Sequence, residues 1–530
     1  MLQTLRATRG IVTSSHHLAA ESGLQVLREG GNAIEAMVAA AATVSVVYPH
    51  MNGLGGDGFW LISTPDGRPP RAISAIGAAA GNVDEAFYRG RGYSEIPARG
   101  PLAANTVGGT IGGWQSALEM SSDWGGRIPL ARLLEDAVHY AEMGVPVTDG
   151  QHQNTVSKRG ELENVPGWAE TFLIDGQAPQ PGALFKQPAL GATLRRLAEA
   201  GLDDFYRGGL ARRIGADLAR AGSPVSAEDY ARQRARETEP LSVALGCGTV
   251  YNVMPPSQGM SSLMILGIFD RLHCDEAEGF SHLHGMVEAT KHAILVRNAH
   301  CTDPAYMEKD PRALLSDESL DALAARVDPQ RAMPWGNGAV PGDTVWLGAA
   351  DGEGRVVSFI HSIYWEFGSG VVLRDTGMLC QNRGSSFTLN ESEQNYLRPG
   401  RLPFHTNNPA MALLNDGRVM AYGAMGGEGQ PQSQSAVLSR YAMFGAGLQE
   451  AVTAPRWVLS RTWGEARTDL RLESRFSAEV IERLRAAGHD VNVVGEFDEV
   501  MGHAGAVVRH PSGLIEGATD PRSCGAVATF

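Results

Sequence analysis

Apolar residues recur with helical spacing at several places in the first half of the chain. Over residues 18–29 they lie three or four positions apart, and Gly30-Gly31 then provides a helix stop. Asn32 is a suitable N-cap for the following segment, residues 33–47, which is apolar almost throughout. The pattern predicts two consecutive helices, the second of them buried. Similar spacing predicts further helices over residues 130–143, 190–200 and 282–301.

Short apolar runs bounded by turn residues predict strands. Residues 59–63 form one such run between a glycine-dense turn and Pro65-Asp66-Gly67. Later, TVWLGAA and VVSFIHSIYW flank an Asp-Gly turn, which is typical of a β-hairpin. Thr344 is the first residue of this hairpin and directly follows a segment rich in glycine and proline, residues 332–343. The strand pattern continues to the C-terminus, with one helix predicted over residues 478–487.

The composition narrows the classes of partner. The chain has 530 residues and a formal net charge of −14, with no run of basic residues. Such a surface repels phosphate backbones, so we expect no nucleic acid partner. The longest apolar run, residues 36–47, is shorter than the roughly 20 residues that a bilayer requires, and the N-terminus lacks the apolar core of a secretory signal. We therefore expect no membrane association.

The cysteines and histidines bear on compartment and metal binding. The five cysteines are scattered without a CxxC pair, which is typical of free thiols in a reducing compartment and indicates a cytoplasmic protein. Several possible ligands lie close together in the predicted helix that starts at residue 282, namely His282, His284, His292, His300 and Cys301. Their spacing does not match a known set of zinc ligands. We predict no metal and no other cofactor.

The position of Thr344 gives the first indication of chemistry. A threonine hydroxyl is a weak nucleophile unless a base removes its proton. At a chain terminus the α-amine supplies that base, because its pKa of about 7.7–8.0 leaves part of it neutral. The junction between an exposed loop and a strand is a suitable place to create such a terminus. A threonine that merely starts a strand is also common, and the residues alone do not separate these alternatives.

Several segments, spread in order over nearly the whole chain, resemble the γ-glutamyltranspeptidase family. They are GGNAIEAMVAAAATVSVVYPHMNGLGGDGFWLI, RGPLAANTVGGTIGGW, MPPSQGMSSLMIL, GDTVWLGAADGEGRVVSFIHSIYWEFGSGVVLRDTGMLCQN, the pair Gly426-Gly427, and GATDPRSCGA. The resemblance implies an α+β fold, a four-layer αββα sandwich of the N-terminal-nucleophile hydrolase type. It also implies a precursor that cleaves itself into two intertwined subunits, residues 1–343 and residues 344–530, which together form one fold.

Matching positions imply roles for individual residues. Thr344 corresponds to the nucleophile, so the bond between Asp343 and Thr344 is the one that is cleaved. Ser362 stands where the family has a threonine whose hydroxyl supports the nucleophile, and the hydroxyl is retained. Gly426 and Gly427 match glycines whose backbone N–H groups face the developing oxyanion. Without the resemblance, this glycine pair would be read as a plain turn.

Other positions depart from the family pattern. The family binds the carboxylate and amine of a γ-glutamyl group, and its arginine for the carboxylate falls near Ile76, where no arginine is present. Further replacements affect residues around the glutamyl group: Tyr364 stands for an asparagine, His405 and Thr406 for two serines, Arg383 for a glutamine and Ser386 for an aspartate. The loss of the aspartate removes the natural partner of an ammonium group.

These replacements indicate a small, anionic amide without an α-amine. Arg383 is suited to bind a carboxylate through two parallel hydrogen bonds, and Tyr364 and Trp346 are expected to fill the space of a glutamyl chain. The stretches HTNNP and GDTVW resemble a subgroup of the family that hydrolyses oxamate to oxalate and ammonia in purine breakdown. We therefore predict substrate contacts at Arg383, Tyr364, Ser386, His405, Thr406 and Asn407.

Each of these residues also has a plainer interpretation, and other functions fit the resemblance. Arg383 would suit a surface ion pair, His405 a loop cap, and Asn407 the turn before Pro409. The alternative functions are a γ-glutamyl hydrolase or transferase acting on glutathione, a β-lactam side-chain acylase, and an uncleaved binding protein. The partners implied are a small amide substrate and the two subunits of one precursor, and a homodimer of the cleaved heterodimer is left open.

Overall fold

Two antiparallel β-sheets lie face to face at the centre of the molecule. The computed structural model describes residues 3–336, 343–459 and 468–530, with the backbone alone at residue 343. The first sheet contains, in spatial order, Ala526–Thr529 (β19), Gly10–Ser14 (β2), Asp343–Asp351 (β10), Val356–Tyr364 (β11), Asp57–Ser63 (β3), Arg71–Ala75 (β4) and Arg236–Thr238 (β7). The second contains Leu5–Ala7 (β1), Ile515–Thr519 (β18), Ala504–Arg509 (β17), Val419–Ala424 (β13), Ala410–Leu414 (β12), Gly248–Asn252 (β9) and Leu241–Leu245 (β8).

Two small sheets accompany the central pair. One contains Trp457–Leu459 (β14), Leu470–Glu473 (β15) and Val491–Val494 (β16), and the other contains Val145–Pro146 (β5) and Leu184–Phe185 (β6). Short 3-10 turns occur at Pro304–Tyr306, Arg383–Ser386, Gly427–Gly429 and Glu499–Met501, and a π-helical turn at Ser439–Met443.

Helices cover the outer faces of both large sheets. Those that precede β10 in the chain are His17–Arg28 (α1), Ala33–Val47 (α2), Glu85–Arg89 (α3), Thr110–Ser122 (α4), Leu130–Leu133 (α5), Glu135–Met143 (α6), Asp149–Leu162 (α7), Trp168–Phe172 (α8), Pro188–Ala200 (α9), Asp204–Arg207 (α10), Gly209–Ala221 (α11), Ala227–Arg232 (α12), Gly259–Arg271 (α13), Phe280–His300 (α14), Pro311–Leu314 (α15) and Asp317–Ala324 (α16). Those that follow are Gln430–Leu438 (α17), Leu448–Thr453 (α18) and Ala478–Ala486 (α19).

The apolar core has three layers, one between the sheets and one between each sheet and its helices. This arrangement confirms the α+β fold and the four-layer αββα sandwich that the resemblance implied. Among the described residues, no helix is both long and apolar enough to cross a bilayer.

Helix α2 forms where the sequence pattern predicted it. Asn32 Oδ1 accepts hydrogen bonds from the amides of Ile34 and Glu35, and Glu35 Oε2 accepts one from the Asn32 amide at 2.8 Å. This reciprocal cap satisfies N–H groups that the first helical turn leaves without partners. Every residue of α2 is buried, and the helix packs against α1 and β10. It therefore supports the strand whose second residue is the candidate nucleophile.

The predicted hairpin is confirmed as β10 and β11, which lie in the middle of the first sheet. Strand β10 pairs with β2 on one side and with β11 on the other. The register of β10 against β11 shifts between Asp343, which pairs with Tyr364, and Val345, which pairs with His361, so a β-bulge on β11 lies opposite Thr344. Bulges bend a strand and re-aim its side chains, and they are frequent beside active sites.

Trp346 lies between the two sheets and not in the substrate space, so the expected role for its side chain was wrong. Its indole fits into a slot where a Cβ atom on Gly423 would lie 2.0 Å from Trp346 Cδ1, and one on Gly505 would lie 2.6 Å from Cζ3. Its Nε1 donates to Ser358 Oγ at 2.9 Å. Glycines from two separate strands therefore provide the room for this ring.

Two predictions of helices need correction. The helix expected over residues 130–143 is two helices, α5 and α6, with Leu134 between them at φ −95° and ψ −3°. The second half of the chain also contains α17 and α18 in addition to the predicted α19. Helix α17 is buried on all sides although it contains three glutamines, so it lacks the one-sided apolar pattern on which the prediction depended.

Candidate active site

The side chain of Thr344 is buried between two amide side chains. Its hydroxyl donates to Asn407 Oδ1 at 3.2 Å and accepts a hydrogen bond from Gln430 Nε2 at 3.0 Å. Asn407 belongs to the loop that precedes β12, and Gln430 is the first residue of α17. A hydroxyl has one proton and two lone pairs, so these two contacts orient both its proton and one lone pair. The side chain is thus held by a loop and a helix while its backbone belongs to the first sheet.

Gln430 was not identified from the sequence. It stands three residues after Gly427 and directly before Pro431, in a stretch that resembles an exposed helix start. The structure buries it completely, and Gln430 Oε1 accepts a hydrogen bond from Asn408 Nδ2 at 3.0 Å. That bond fixes which end of the amide faces Thr344. A glutamine beside a proline carries no signal of this role in a single sequence.

Arg383 is fully buried, which excludes the surface ion pair that the sequence left open. Its two terminal nitrogens donate to Thr406 Oγ1 at 3.2 Å and to Ser362 Oγ and Asn407 Oδ1 at 3.4 Å each. No carboxylate among the described side chains lies within 4.0 Å of the guanidinium. Burial lowers the pKa of Arg383 to about 10, so the group still carries its charge at neutral pH. The structure therefore places a positive charge beside Thr344 with only neutral hydrogen-bond partners.

Tyr364 and Ser362 complete the surroundings of this charge. The Arg383 guanidinium lies over the Tyr364 ring, with Cζ 4.0 Å from the ring centroid. Tyr364 has a φ of 82°, which is strained for an aromatic residue, and its amide donates to Ser362 Oγ at 2.8 Å. This strained residue is the last residue of β11. Strained backbone is frequent at functional sites. The hydroxyl of Ser362 thus contacts both the backbone turn and Arg383.

The loop around His405 borders the pocket on another side. His405 Nε2 lies 3.2 Å from Asp57 Oδ2, and its ring meets the Phe59 ring edge to face. Asp57 Oδ1 in turn accepts the amides of Gly77 and Gly109, each at 2.9 Å. Burial and the nearby charge of Arg383 lower the pKa of His405 to about 4. The imidazole is therefore neutral at neutral pH and joins the loop to β3.

Ser386 and Asn407 behave differently from each other. Ser386 Oγ donates to the Phe404 carbonyl at 3.3 Å, at the far end of the 3-10 turn that carries Arg383. Asn407 contacts both Thr344 and Arg383 through the same oxygen. The structure therefore brings Asn407 into the centre of the site and leaves Ser386 at its border.

Gly426 and Gly427 form the tight turn between β13 and α17. Their φ angles are 131° and 52°, values that residues other than glycine rarely adopt. Within the described parts of the chain, neither of their two N–H groups donates to a protein acceptor. The turn also leads into the N-terminal end of α17, where the helix dipole favours negative charge. This geometry is suited to hold an oxyanion.

The histidines that the sequence grouped together do not gather into one site. Instead His284 meets Glu288 and the distant His489, with possible ligand atoms within 4.8 Å of one another. His284 Nδ1 and His489 Nε2 are joined by a hydrogen bond of 2.8 Å, and Lys291 Nζ donates to Glu288 Oε1 at 2.7 Å. An ammonium group therefore already neutralises the carboxylate. This charge balance favours a structural role for the cluster.

Buried histidines make stability sensitive to acid, which gives a testable prediction. Burial lowers the pKa of His16 and His50 to about 3, and that of His361, His405 and His503 to about 4. In the unfolded chain a histidine titrates near pH 6.5, so between about pH 4 and pH 6.5 the unfolded state binds protons that the folded state does not. Stability must therefore rise with pH across this window. We expect the melting temperature to fall steadily as the pH is lowered from 6.5 to 4.5, and a constant value would contradict the burial of these rings.

Comparison with known proteins agrees with this architecture. The family model described as gamma-glutamyltranspeptidase matches residues 19–530. The chain is 55% identical over 525 residues to the oxamate amidohydrolase proenzyme of Klebsiella pneumoniae subsp. pneumoniae, covering 99% of each chain. It is 39% identical over 528 residues to the glutathione hydrolase-like YwrD proenzyme of Bacillus subtilis, again with 99% of each chain covered. Among solved structures, cephalosporin acylase from Bacillus halodurans is similar, with a TM-score of 0.92, 33% identity, and coverage of 100% of this chain and 97% of that chain. The chain therefore belongs to the gamma-glutamyltranspeptidase family of self-processing, amide-hydrolysing enzymes.

Proposed function

We propose that the chain cleaves itself between Asp343 and Thr344, and that the mature enzyme hydrolyses oxamate to oxalate and ammonia. The observation that carries the choice of substrate is the buried guanidinium of Arg383, which has neutral partners and lies close to the Thr344 hydroxyl. Removing a positive charge from water is unfavourable unless an anion compensates it. The buried Asp57 carboxylate acts on this charge from beyond 4.0 Å, and a carboxylate on the substrate supplies a direct partner.

The spacing of the two groups favours a very short acid. A terminal nitrogen of Arg383 and the hydroxyl oxygen of Thr344 lie 3.4 and 3.2 Å from the same Asn407 oxygen, so they are at most 6.6 Å apart. In oxamate a single bond of about 1.5 Å joins the amide carbon to the carboxylate carbon. Together with contacts of about 2.8 Å from carboxylate to guanidinium and about 3 Å from hydroxyl to the attacked carbon, this path is already longer than 6.6 Å when straight, so oxamate makes both contacts in a bent arrangement and a longer acid fits less well.

A γ-glutamyl substrate fits the same spacing poorly. It places three more carbon atoms between its α-carboxylate and its amide, which adds about 4 Å when the chain is extended. The position expected for the carboxylate-binding arginine is the buried Ile76. The Tyr364 ring under Arg383 further reduces the room for a longer chain.

Self-cleavage follows from the same groups. The Thr344 hydroxyl attacks the carbonyl carbon of Asp343, the C–N bond breaks, and the acyl group moves from nitrogen to oxygen. Water then hydrolyses the resulting ester and leaves a carboxylate on Asp343 and a free α-amine on Thr344. The products are residues 1–343 and residues 344–530, which remain one fold because β10 lies inside the first sheet.

Turnover uses the new terminus as its base. The α-amine of Thr344 accepts the hydroxyl proton while the oxygen attacks the amide carbon of oxamate. The N–H groups of Gly426 and Gly427 stabilise the oxyanion, and removing one such donor in a protease lowers the rate by about 10²–10³-fold. The proton passes to the leaving nitrogen, ammonia departs, and water hydrolyses the oxalyl ester. Arg383 holds the carboxylate throughout.

A small panel of amides tests the proposal on purified, mature protein. Oxamate, malonamate and oxamide differ in the spacing and presence of the carboxylate, and a γ-glutamyl anilide represents the family's own substrate class. We expect ammonia release in the order oxamate, malonamate, oxamide, with little release of aniline. Preference for the γ-glutamyl anilide, or equal rates for oxamate and oxamide, would overturn the assignment of the substrate.

The cellular setting is part of the proposal. All five cysteines are free thiols, which fits a reducing compartment, and we infer a cytoplasmic enzyme. Oxamate hydrolysis suits a place in purine breakdown, where this amide is converted to oxalate. Fractionation of cells, followed by assay of oxamate hydrolysis in each fraction, tests the compartment.

A further inference from the structure

A buried glutamine from the first part of the chain holds the two loops that form the candidate site. Gln258 stands directly before α13, and its side chain is fully buried. Gln258 Nε2 donates to the Thr406 carbonyl at 2.7 Å and to the Gly427 carbonyl at 2.8 Å. One amide group therefore joins the loop that contacts Arg383 to the turn that faces the oxyanion.

The backbone around Gln258 strengthens the connection to the first of these loops. The Gln258 amide donates to the His405 carbonyl at 2.8 Å, and the His405 amide donates to the Pro256 carbonyl at 2.9 Å. Ser257 Oγ donates to the Asn407 carbonyl at 2.5 Å. Residues 256–258 thus fix residues 405–407 by backbone and side chain together.

Arg297 on α14 determines which end of the Gln258 amide faces the two carbonyls. Arg297 Nη1 donates to Gln258 Oε1 at 2.9 Å, so the NH₂ group must point the other way. Arg297 Nη2 is paired with the carboxylate of Glu428, and both groups are buried. Because Glu428 directly follows Gly427, the same guanidinium contacts the oxyanion turn from its far side.

These contacts fix the peptide groups on both sides of Gly427. The Gly426 carbonyl accepts the Gly429 amide at 2.8 Å, which orients the peptide group that carries the Gly427 N–H. The Gly427 carbonyl accepts Gln258, which orients the next peptide group. The first bond lies within the turn and the second comes from outside it. Because glycine at these φ angles has shallow preferences of its own, the two bonds together restrict the conformation of the turn.

We propose that Gln258 and Arg297 are positioning residues that hold the oxyanion turn and the anion-binding loop in their catalytic geometry. The inference rests on the proposed roles of Gly426, Gly427 and Arg383. It adds that the residues holding these groups in place come from the part of the chain before the proposed cleavage point. Misplacing a reacting group by about 1 Å can lower a rate about 10²-fold. Loss of the hydrogen bonds from Gln258 and Arg297 should therefore lower kcat more than it raises KM.

The first experiment replaces Gln258→Leu, which keeps the bulk of the side chain and removes both donors. We expect kcat for oxamate to fall by about 10–100-fold and conversion of the precursor into two fragments to slow by a similar factor. The matched control is Gln432→Leu. Gln432 is also a buried glutamine, and it bonds the carbonyl and amide of Leu459 on β14, away from the oxyanion turn. If both variants lose kcat equally at similar melting temperatures, the positioning role is overturned.

A second experiment tests whether Arg297 acts through Gln258. Arg297→Lys keeps the positive charge beside Glu428 but loses the planar fork that contacts both partners. We expect about a 10-fold loss of kcat in the wild-type background and no further loss when Gln258→Leu is already present. Additive losses, or an unchanged kcat in Arg297→Lys, would overturn the link between the two residues.

The readouts also separate this inference from the assignment of the substrate. Self-cleavage needs the oxyanion turn but no external amide, so it reports on Gln258 and Arg297 even if oxamate is not hydrolysed. A wild-type chain that cleaves itself yet ignores oxamate would overturn the substrate alone. Normal self-cleavage together with normal kcat in Gln258→Leu would overturn the positioning role alone.

Discussion

Replacing Thr344 with alanine is expected to abolish both self-cleavage and amide hydrolysis. The change removes the hydroxyl that contacts Asn407 and Gln430, and with it the atom that we propose attacks both the precursor bond and the substrate. The rate should fall by at least about 10⁵-fold, as for the loss of a nucleophile in a protease. Denaturing electrophoresis should show a single band near 56.4 kDa in place of two fragments.

Thr344→Ser serves as the matched control for this prediction. Serine retains the hydroxyl and, after cleavage, the adjacent α-amine, so both reactions should persist at reduced rates. Fragmentation of the Thr344→Ala protein at the same bond would refute the role of this side chain. N-terminal analysis of the small fragment should begin at residue 344.

Replacing Arg383 with methionine is expected to lower kcat/KM for oxamate by about 10²–10³-fold. Methionine preserves much of the volume above the Tyr364 ring but removes the charge and the donors to the substrate carboxylate. Losing one member of a buried, hydrogen-bonded charge pair costs about 2–5 kcal/mol, which corresponds to about a 30–5,000-fold loss, and the expected value lies within this range. Steady-state kinetics with oxamate, and in parallel with oxamide, measures the effect.

The comparison between the two amides makes the Arg383 prediction specific. Oxamide has no carboxylate, so its low rate should change little in Arg383→Met, while Arg383→Lys should retain part of the activity on oxamate because the charge remains. An equal loss on both amides would show that Arg383 maintains the fold of the site and does not bind the substrate carboxylate.

Much of the fold could be predicted from local patterns. Helix α2 and the hairpin of β10 and β11 each carry a complete local signal, namely a capped apolar run and two apolar runs around an Asp-Gly turn. Helix α17 carries none, because its glutamines are satisfied by partners far along the chain. The slot for Trp346 depends on Gly423 and Gly505, which meet only in the folded sheet. Features that form only when distant segments meet produce no local pattern in the sequence.

The site shows the same division. Thr344, Ser362 and the glycine pair were predicted because short motifs resemble a family, and Arg383 was predicted because it departs from that family. Gln258 and Gln430 were missed because a neutral amide does not titrate and is common on surfaces, so only burial and hydrogen-bond partners reveal its role. Groups that orient others are therefore harder to predict than groups that react.

The central position of β10 in its sheet affects whether the cleaved enzyme can refold after it has unfolded. The proposed cut between Asp343 and Thr344 would leave each product with three or four strands of each large sheet: β10 would stay bonded to β2, β11 to β3, and β12 to β9. Neither product can leave without breaking several rows of backbone hydrogen bonds. Once melted, however, the two pieces must find each other by diffusion, whereas the newborn chain folded with them tethered. Cleavage would therefore make unfolding less reversible. We expect heat-inactivated mature enzyme to recover little activity on cooling, whereas the uncut Thr344→Ala chain should refold.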